Sequence, residues 1–224
     1  MGTEAGVGAV ENPEATFLAR MTASTTHELR NVLAVVKESA GLVEDLTLAS
    51  QQQKAVNPDK FLHAARRIDA QVARGAALLT SLNRLAHGLD QAQQPLDLGQ
   101  QVEQVTSLCQ RFARQQRQRI ELEVSMETRT VHANALRLQM ALVSAIDCCL
   151  EQLPEESVVT LRVAGSADRP CIVITGAAAA GALSAPAGAA SWPRLVALLD
   201  QLSASVEAGD EPFGFRLVFS GSTG

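Results

Sequence analysis

An apolar repeat in the second quarter of the chain constrains the fold most strongly. Small or apolar residues recur there at alternating steps of four and three: Phe61, Ala65, Ile68, Val72, Gly75, Leu79, Leu82, Ala86 and Leu89. A sustained 3.5-residue period is typical of helices that pack in left-handed bundles. The repeat therefore predicts a long helix that needs helical partners along its whole length.

A second long helix is predicted before it. The start signal of a capping Asn, a Pro and an acidic residue occurs twice, as NPE at residues 12–14 and as NPD at residues 57–59. After the first signal, apolar residues recur at steps of three and four from Leu18 to Leu46. This pattern predicts an amphipathic helix that ends near Ala49.

Two long helices joined by the short polar stretch QQQKAV predict an antiparallel hairpin over residues 12–92. A hairpin alone has too small a core, and the simplest partner for its apolar stripe is a second copy of the chain. We therefore expect a homodimer built on a two-fold symmetric four-helix bundle. Residues 1–11 are rich in Gly and Ala without periodicity and are expected to form a disordered tail.

The pattern changes after the polar stretch DQAQQP, which ends at Pro95. Residues 96–224 are predicted to form an α+β sandwich, with helices on one face of a mixed sheet. The Ala- and Gly-rich residues 177–191 are expected to be a loop. The predicted elements are helices at 97–117, 134–152 and 192–204 and strands at 120–126, 158–165, 171–176, 205–209 and 213–220.

Charge argues against a nucleic-acid-binding protein. The chain has 24 Asp plus Glu against 19 Lys plus Arg, whereas such proteins normally present a net basic face. One small cluster of arginines is followed at once by Glu121 and Glu123, and we interpret it as a solvated helix face: Arg111, Arg114, Arg117 and Arg119.

Segment composition predicts a cytoplasmic protein without a membrane partner. No basic segment followed by an apolar stretch opens the chain, and no apolar run approaches the ~20 residues needed to span a bilayer. The cysteines include no C-x-x-C pair, and we expect all of them to be small buried hydrophobic residues: Cys109, Cys148, Cys149 and Cys171. His63 and His87 are interpreted as solvated, and His132, just before a predicted helix, has no evident partner.

The stretch STTHELRNVLAVV, residues 24–36, carries the chain's main chemical signal. On a helix, Arg30 and Asn31 share a face with His27, and Glu28 is adjacent. A zinc site would need a second histidine four residues after the first, where this chain has Asn31. Imidazole is a competent nucleophile at neutral pH, Glu28 could hydrogen-bond its other nitrogen, and Arg30 could offset phosphate charge. The alternatives left are phosphoryl chemistry and a plain surface histidine.

These residues resemble a known family. HELRNVLAVV is similar to the H-box of sensor histidine kinases, with Val32 where the family commonly has proline. The hairpin resembles their dimerisation and histidine-phosphotransfer (DHp) domain, and residues 96–224 resemble their ATP-binding domain in the order of elements. The resemblance implies that His27 is the phosphoacceptor, Glu28 the adjacent acid and Asn31 a residue that positions water.

The resemblance fails at the nucleotide site. The family's two N-box asparagines, one of which holds Mg²⁺, correspond here to Ser144 and Cys148, and a thiol is a poor ligand for a hard cation. Where the family has Asp-x-Gly-x-Gly, this chain has TGAAAAG, with Thr175 or Gly176 at the position of the Asp. We therefore expect a degenerate ATPase-like domain that binds no cofactor.

Together these features resemble ChpT-type histidine phosphotransferases. The resemblance implies transfer of a phosphoryl group between response-regulator receiver domains through His27, with the receiver supplying Mg²⁺ and an upstream hybrid histidine kinase as a further candidate partner. Receivers are expected to dock on α-helical residues at and after the motif: Arg30, Asn31, Leu33, Ala34 and Lys37. The alternatives are a phosphatase of a phosphorylated regulator, a pseudo-kinase interaction module without chemistry, and a true kinase with a divergent ATP pocket.

Overall fold

A computed structural model describes residues 12–87, 93–123, 128–177, 186–209 and 213–220. Two long helices open the chain, α1 (Pro13–Gln51) and α2 (Pro58–His87). The strand β1 (Gln94–Asp97) and helix α3 (Leu98–Gln115) follow, then β2 (Arg119–Glu123), β3 (Thr130–Ala133) and α4 (Ala135–Gln152). The last elements are β4 (Val158–Gly165), β5 (Pro170–Ala177), a 3₁₀ turn (Pro186–Gly188), α5 (Trp192–Gln201), β6 (Ser205–Ala208) and β7 (Gly214–Val218).

Both helices of the hairpin begin at the predicted caps. The side chain of Asn12 accepts hydrogen bonds from the backbone N–H groups of Glu14 and Ala15, at 3.0 and 3.2 Å. Asn57 does the same for Asp59 at 2.8 Å. These caps satisfy backbone donors that the first turn of each helix leaves unpaired. The predicted helical hairpin is confirmed.

A glycine brings the two helices close together at the middle of the hairpin. A Cβ added to Gly75 on α2 would lie 3.3 Å from Cγ1 of Val32 on α1, tighter than ordinary van der Waals contact. Val32 is buried, one turn and a half after His27 along α1. The glycine of the heptad repeat therefore fixes the distance of α2 from the segment of α1 that carries the H-box-like motif.

Five strands form a mixed sheet in the order β2-β4-β5-β7-β6. β2 and β4 are parallel and the other neighbours are antiparallel. The buried side chains of the central strands alternate along the chain, as expected for a sheet covered on one face by α3, α4 and α5: Val159, Leu161, Ile172, Ile174, Phe215 and Leu217. The predicted α/β architecture is confirmed.

The other face of this sheet is polar. One row of directly opposed residues crosses all five strands as Glu123, Arg162, Val173, Arg216 and Glu207. A shallow cavity of about 380 Å³ opens on this face, lined by part of that row. Alternation of charged outward residues with apolar inward ones is what a sheet with one solvated face requires.

Two strands are not predicted by the sequence pattern. β1 and β3 form a separate antiparallel pair, with Pro95 opposite His132. The polar stretch that ends at Pro95 reads as a linker, although residues 94–97 form a strand in the structure. A two-stranded ribbon leaves a free edge at which a proline needs no ladder hydrogen bond.

The remaining fold predictions concern single residues and segments. Trp192 at the start of α5 packs edge-on against Phe215 of β7 with ring centroids 5.8 Å apart, so the predicted anchoring of this helix on the sheet is confirmed. All four cysteines are buried free thiols, as predicted. The predicted disordered tail, residues 1–11, and most of the predicted loop at 177–191 lie outside the described residues.

Hairpin and α/β sandwich share a core. Phe17 and Met21 of α1 and Leu85 of α2 belong to the same buried cluster as the apolar residues of α3 and α4. Between the hairpin and α3, Gln104 also donates a hydrogen bond to the carbonyl of Ser81, at 3.0 Å. The first turns of α1 and the last turns of α2 are therefore packed directly on the sandwich.

Candidate functional site

His27 lies in the middle of α1 with its side chain exposed. Arg30 and Asn31 are exposed beside it, and Nδ2 of Asn31 lies 3.4 Å from Nδ1 of His27. Ala34 and Lys37 continue the exposed surface along the helix. We call these five side chains the histidine face. The structure brings them together, and their roles in catalysis and docking stay predictions.

Glu28 is placed differently from what the sequence suggested. It is buried between the helices, and its Oε2 accepts hydrogen bonds from Arg74 of α2 and, at 2.7 Å, from Arg114 of α3. The carboxylate side chain is only 9% exposed. We expected this group to hydrogen-bond the imidazole of His27, but its hydrogen bonds in the structure are with the two arginines.

Leu33 flanks the histidine face and is unusually exposed for a large apolar side chain. Its exposed fraction is 66%, the largest among the exposed large apolar residues of the described chain. Single exposed leucines are common on protein surfaces. Here the exposed leucine lies less than two helical turns from His27, within reach of a protein docked at the histidine.

The positions that correspond to the N-box are engaged inside the protein. Ser144 on α4 donates its hydroxyl to the carbonyl of Met140 at 2.8 Å and accepts from Nε of Arg194 at 3.0 Å. Cys148 is fully buried, and burial raises the pKa of its thiol to about 12. A protonated buried thiol and a hydroxyl already bonded to a guanidinium do not fit an Mg²⁺ site, which needs oxygen ligands open to the metal.

A buried carboxylate next to these positions binds two arginines. Asp147 accepts hydrogen bonds from both terminal nitrogens of Arg20 on α1, at 2.5 and 2.8 Å, and from Arg194 on α5 at 3.1 Å. The hydrogen bond to Asp147 raises the pKa of Arg20. The guanidinium of Arg20 also lies over the ring of Phe112, 4.2 Å from its centroid. We call Arg20, Ser144, Asp147 and Arg194 the α4 cluster.

A cavity of about 320 Å³ adjoins the α4 cluster at the start of α1. Its walls combine apolar side chains with guanidinium groups and the Ser144 hydroxyl: Pro13, Thr16, Phe17, Arg20, Met140, Ser144 and Arg194. No carboxylate lines it among the described residues, so the cavity offers no ligand set for a divalent cation. Elsewhere in the described parts of the chain, no three metal-binding side chains come together either.

Sequence reasoning missed the arginines that bind Glu28 and Asp147. The sequence pattern places Arg114 on a solvated face, although its guanidinium reaches the hairpin. One signal was available: Asp147 interrupts the apolar run LVSAIDCCL, and a carboxylate in such a run needs a buried cationic partner. The identity of the partners depends on the tertiary fold and has no local signal.

The other histidines remain without a site. His63 and His132 are exposed, and neither belongs to a metal-binding group within the described residues. The side chain of His87 lies outside the described residues. Among the described helices, none is both long and apolar enough to cross a membrane.

Comparisons with known proteins find similarity in backbone fold. No protein-family model matches the chain, and no curated protein matches its sequence. Among solved structures, the histidine kinase AdeS of Acinetobacter baumannii is 14% identical, with 88% of this chain and 98% of that chain covered, at a TM-score of 0.46. A bacterial phosphotransferase is 16% identical, with 91% and 96% covered, at a TM-score of 0.48.

A third structure, the mycobacterial sensor histidine kinase MprB, is 15% identical and covers 58% of this chain and 98% of its own, at a TM-score of 0.44. These neighbours are two histidine kinases and a phosphotransferase. At such identities the similarity concerns the fold alone.

Proposed function

We propose that the protein is a histidine phosphotransferase of a two-component phosphorelay. His27 accepts a phosphoryl group from the aspartate of one response-regulator receiver domain and passes it to the aspartate of another. The observation that carries this proposal is the contrast between an exposed His27 within the HELRN motif and a closed α4 cluster at the N-box positions.

The transfer is a direct displacement at phosphorus. The lone pair of Nε2 of the neutral imidazole forms the new N–P bond while the P–O bond to the donor aspartate breaks, and that oxygen leaves as a carboxylate. The product is a phosphoimidazolium whose Nδ1 keeps its proton. If the amide of Asn31 turns by 180°, its Oδ1 accepts a hydrogen bond from Nδ1–H and leaves Nε2 as the nucleophile.

The protein's contribution to this step is positioning. Phosphoryl transfer depends on in-line geometry and on compensation of the charge on the phosphoryl oxygens. Arg30, one turn from His27, supplies a positive charge on the histidine face, and Mg²⁺ comes with the receiver. The proposal includes no nucleotide bound by this chain; the hydrogen bond between Arg194 and the Ser144 hydroxyl and the burial of Cys148 support this part of it.

The transferase acts as a homodimer. Val72 and Leu79 belong to the heptad stripe of α2, yet their side chains are 55% and 49% exposed in the single chain. On the same hairpin, Leu42 and Leu62 are also large exposed apolar residues. A second hairpin packed against this stripe would complete a four-helix bundle and bury these side chains.

A phosphatase is the second candidate function. Asn31 is exposed and close to the His27 ring, so its amide could orient a water molecule toward a phosphoaspartate. The two functions differ in the fate of the phosphoryl group. A transferase carries it on His27, whereas a phosphatase releases it to water.

The test is transfer of radiolabel from a phosphorylated receiver domain to the purified protein. Wild type is run beside His27→Ala, with His63→Ala as the matched control, because His63 is an exposed histidine of the same hairpin. The proposal requires label on wild type and His63→Ala and none on His27→Ala. Loss of label to free phosphate supports the phosphatase, and sequestration of the receiver that survives His27→Ala supports an interaction module.

A further inference from the structure

Two buried carboxylates join α1 to the α/β sandwich. Asp147 of α4 binds Arg20, and Arg114 of α3 binds Glu28. Arg20 and Glu28 are eight residues apart, about 12 Å along the helix axis. His27 lies between these two anchor points, immediately before Glu28.

Each anchor connects more than two elements. At Glu28 the partners are Arg74 from α2 and Arg114 from α3, so one carboxylate holds three helices together. At Asp147 the partners are Arg20 from α1 and Arg194 from α5. Bidentate and multiply bonded arginine–carboxylate pairs fix orientation as well as distance, because the guanidinium donors lie in one plane.

A buried carboxylate is stable only while its cationic partners remain in place. The side chains of Glu28 and Asp147 are both 9% exposed, so removing the sandwich from α1 would take away a partner from each of these poorly solvated charges. The shared apolar core around Met21 and Leu85 opposes such a separation as well.

We propose that the sandwich acts as a clamp that positions His27, with Arg114 and Arg74 as positioning residues that act through Glu28. This inference rests on the proposed phosphotransfer function for its effect on rate, but the clamp itself is a property of the fold. The clamp fixes the rotation of α1 about its axis at His27 and holds the sandwich still beside the histidine face. The clamp gives the sandwich a role in transfer that requires no nucleotide.

The role assigned to Glu28 differs from that of an acid or base. Its Oε2 accepts two guanidinium hydrogen bonds, and the carboxylate is turned into the interface of α1, α2 and α3. The transfer chemistry written above needs no carboxylate, since the ring proton remains on Nδ1. Glu28 therefore acts on His27 only through the position of the helix.

Removal of Arg114 tests the clamp. The variants are Arg114→Ala, the conservative Arg114→Lys and the control Arg117→Ala, whose arginine lies beyond the end of α3 and pairs with the exposed Glu155. The first readout is hydrogen exchange of the backbone amides around residues 20–30, which does not depend on any phosphoryl donor. We expect faster exchange in Arg114→Ala, an intermediate rate in Arg114→Lys and the wild-type rate in Arg117→Ala.

A second readout is the rate of label transfer as a function of receiver concentration. A misplaced histidine lowers the maximal rate, by about ten- to a hundredfold for a displacement near 1 Å, and leaves the receiver concentration at half-maximal rate nearly unchanged. Arg114→Lys should recover part of the loss. A change in the half-maximal concentration alone would make Arg114 a docking residue and overturn the clamp.

The two proposals fail in different ways. Wild-type exchange rates in Arg114→Ala would overturn the clamp even if wild type transfers label normally. Absence of label on wild type, together with faster exchange in Arg114→Ala, would overturn the phosphotransferase and support the clamp as a feature of the fold.

Discussion

The region around Glu28, next to the histidine face, and the α4 cluster share one feature, a buried carboxylate that binds two arginines from different helices. The two regions differ in whether a reactive side chain next to the carboxylate is exposed. Beside Glu28, His27 is open to solvent, whereas beside Asp147 the Ser144 hydroxyl is bonded to Arg194 and Cys148 is buried. The comparison teaches that similar ion pairs can lie beneath surfaces of different accessibility, and the proposed chemistry is assigned to the region whose histidine is exposed.

Removing Asp147 should give the largest effect on stability. Asp147→Ala leaves Arg20 and Arg194 without their carboxylate, and loss of one partner of a buried pair costs about 3–5 kcal/mol. Because these arginines are about a third to a half exposed, we expect a smaller loss in the free energy of unfolding, about 2–3 kcal/mol.

Urea unfolding monitored by circular dichroism measures this loss. The matched control is Glu155→Ala, which removes an exposed carboxylate paired with the exposed Arg117 and should change stability by less than about 0.5 kcal/mol. Equal effects of the two substitutions would contradict the structural role given to the α4 cluster.

Gly75→Val tests the close approach of the helices beneath the histidine face. A Cβ at position 75 would lie 3.3 Å from Cγ1 of Val32, and the two further methyl groups of valine must push α2 away from α1. Overpacking of this kind lowers the free energy of unfolding by about 1–3 kcal/mol.

The double variant Gly75→Val with Val32→Ala should recover part of this loss in the same urea titration, because the smaller side chain at position 32 makes room for the new valine. If the loss in the double variant equals the sum of the losses in Gly75→Val and Val32→Ala alone, the two residues do not share the strain.

Leu33→Glu probes the histidine face as a docking surface. Leu33 is highly exposed, so the substitution should leave folding unchanged while weakening receiver binding about tenfold, as expected for loss of one apolar contact at an interface. Isothermal titration with a receiver domain measures the affinity. Val196→Glu is the control, because Val196 is also a large exposed apolar residue but lies on α5 of the sandwich. Equal weakening by both variants would argue against a site beside His27.

Cys109 should make the free energy of unfolding depend on pH, which is the smallest of the expected effects. Burial is the main reason that the pKa of its thiol lies well above the ordinary value of 9.0. The folded thiol therefore keeps its proton to a higher pH than the unfolded thiol. Above the unfolded pKa the unfolded state loses its proton first, so the free energy of unfolding falls as the pH rises. Between pH 9 and pH 10 we expect a loss of about 1 kcal/mol from this group.

Urea unfolding at these two pH values, in wild type and Cys109→Ala, isolates the contribution. The variant has a lower stability overall but a shallower decrease with pH. A slope equal to that of wild type would mean that the folded thiol ionises at its ordinary pKa.

The fold was largely predictable from local patterns. The caps at Asn12 and Asn57 and the heptad repeat of α2 specify the hairpin, and β4 was predicted at its observed bounds. The pair β1–β3 was missed because short edge strands containing a proline have no reliable local pattern.

The candidate site was predictable only in part. The positions of His27 and Asn31 follow from helical spacing, so their common exposed face could be foreseen. The contacts of Glu28 depend on where α3 meets the hairpin, and Arg114 looked like any arginine in a solvated cluster. Partners 86 residues apart in the sequence meet only through tertiary packing.

The most direct test of the account compares two phosphoryl donors on the same sample. The wild-type protein is incubated either with a phosphorylated receiver domain or with Mg-ATP, and phosphohistidine is located by mass spectrometry under alkaline conditions. We predict phosphate on His27 from the receiver and none from Mg-ATP. Phosphorylation of His27 by Mg-ATP alone would contradict the central claim, because the α4 cluster would then support nucleotide chemistry.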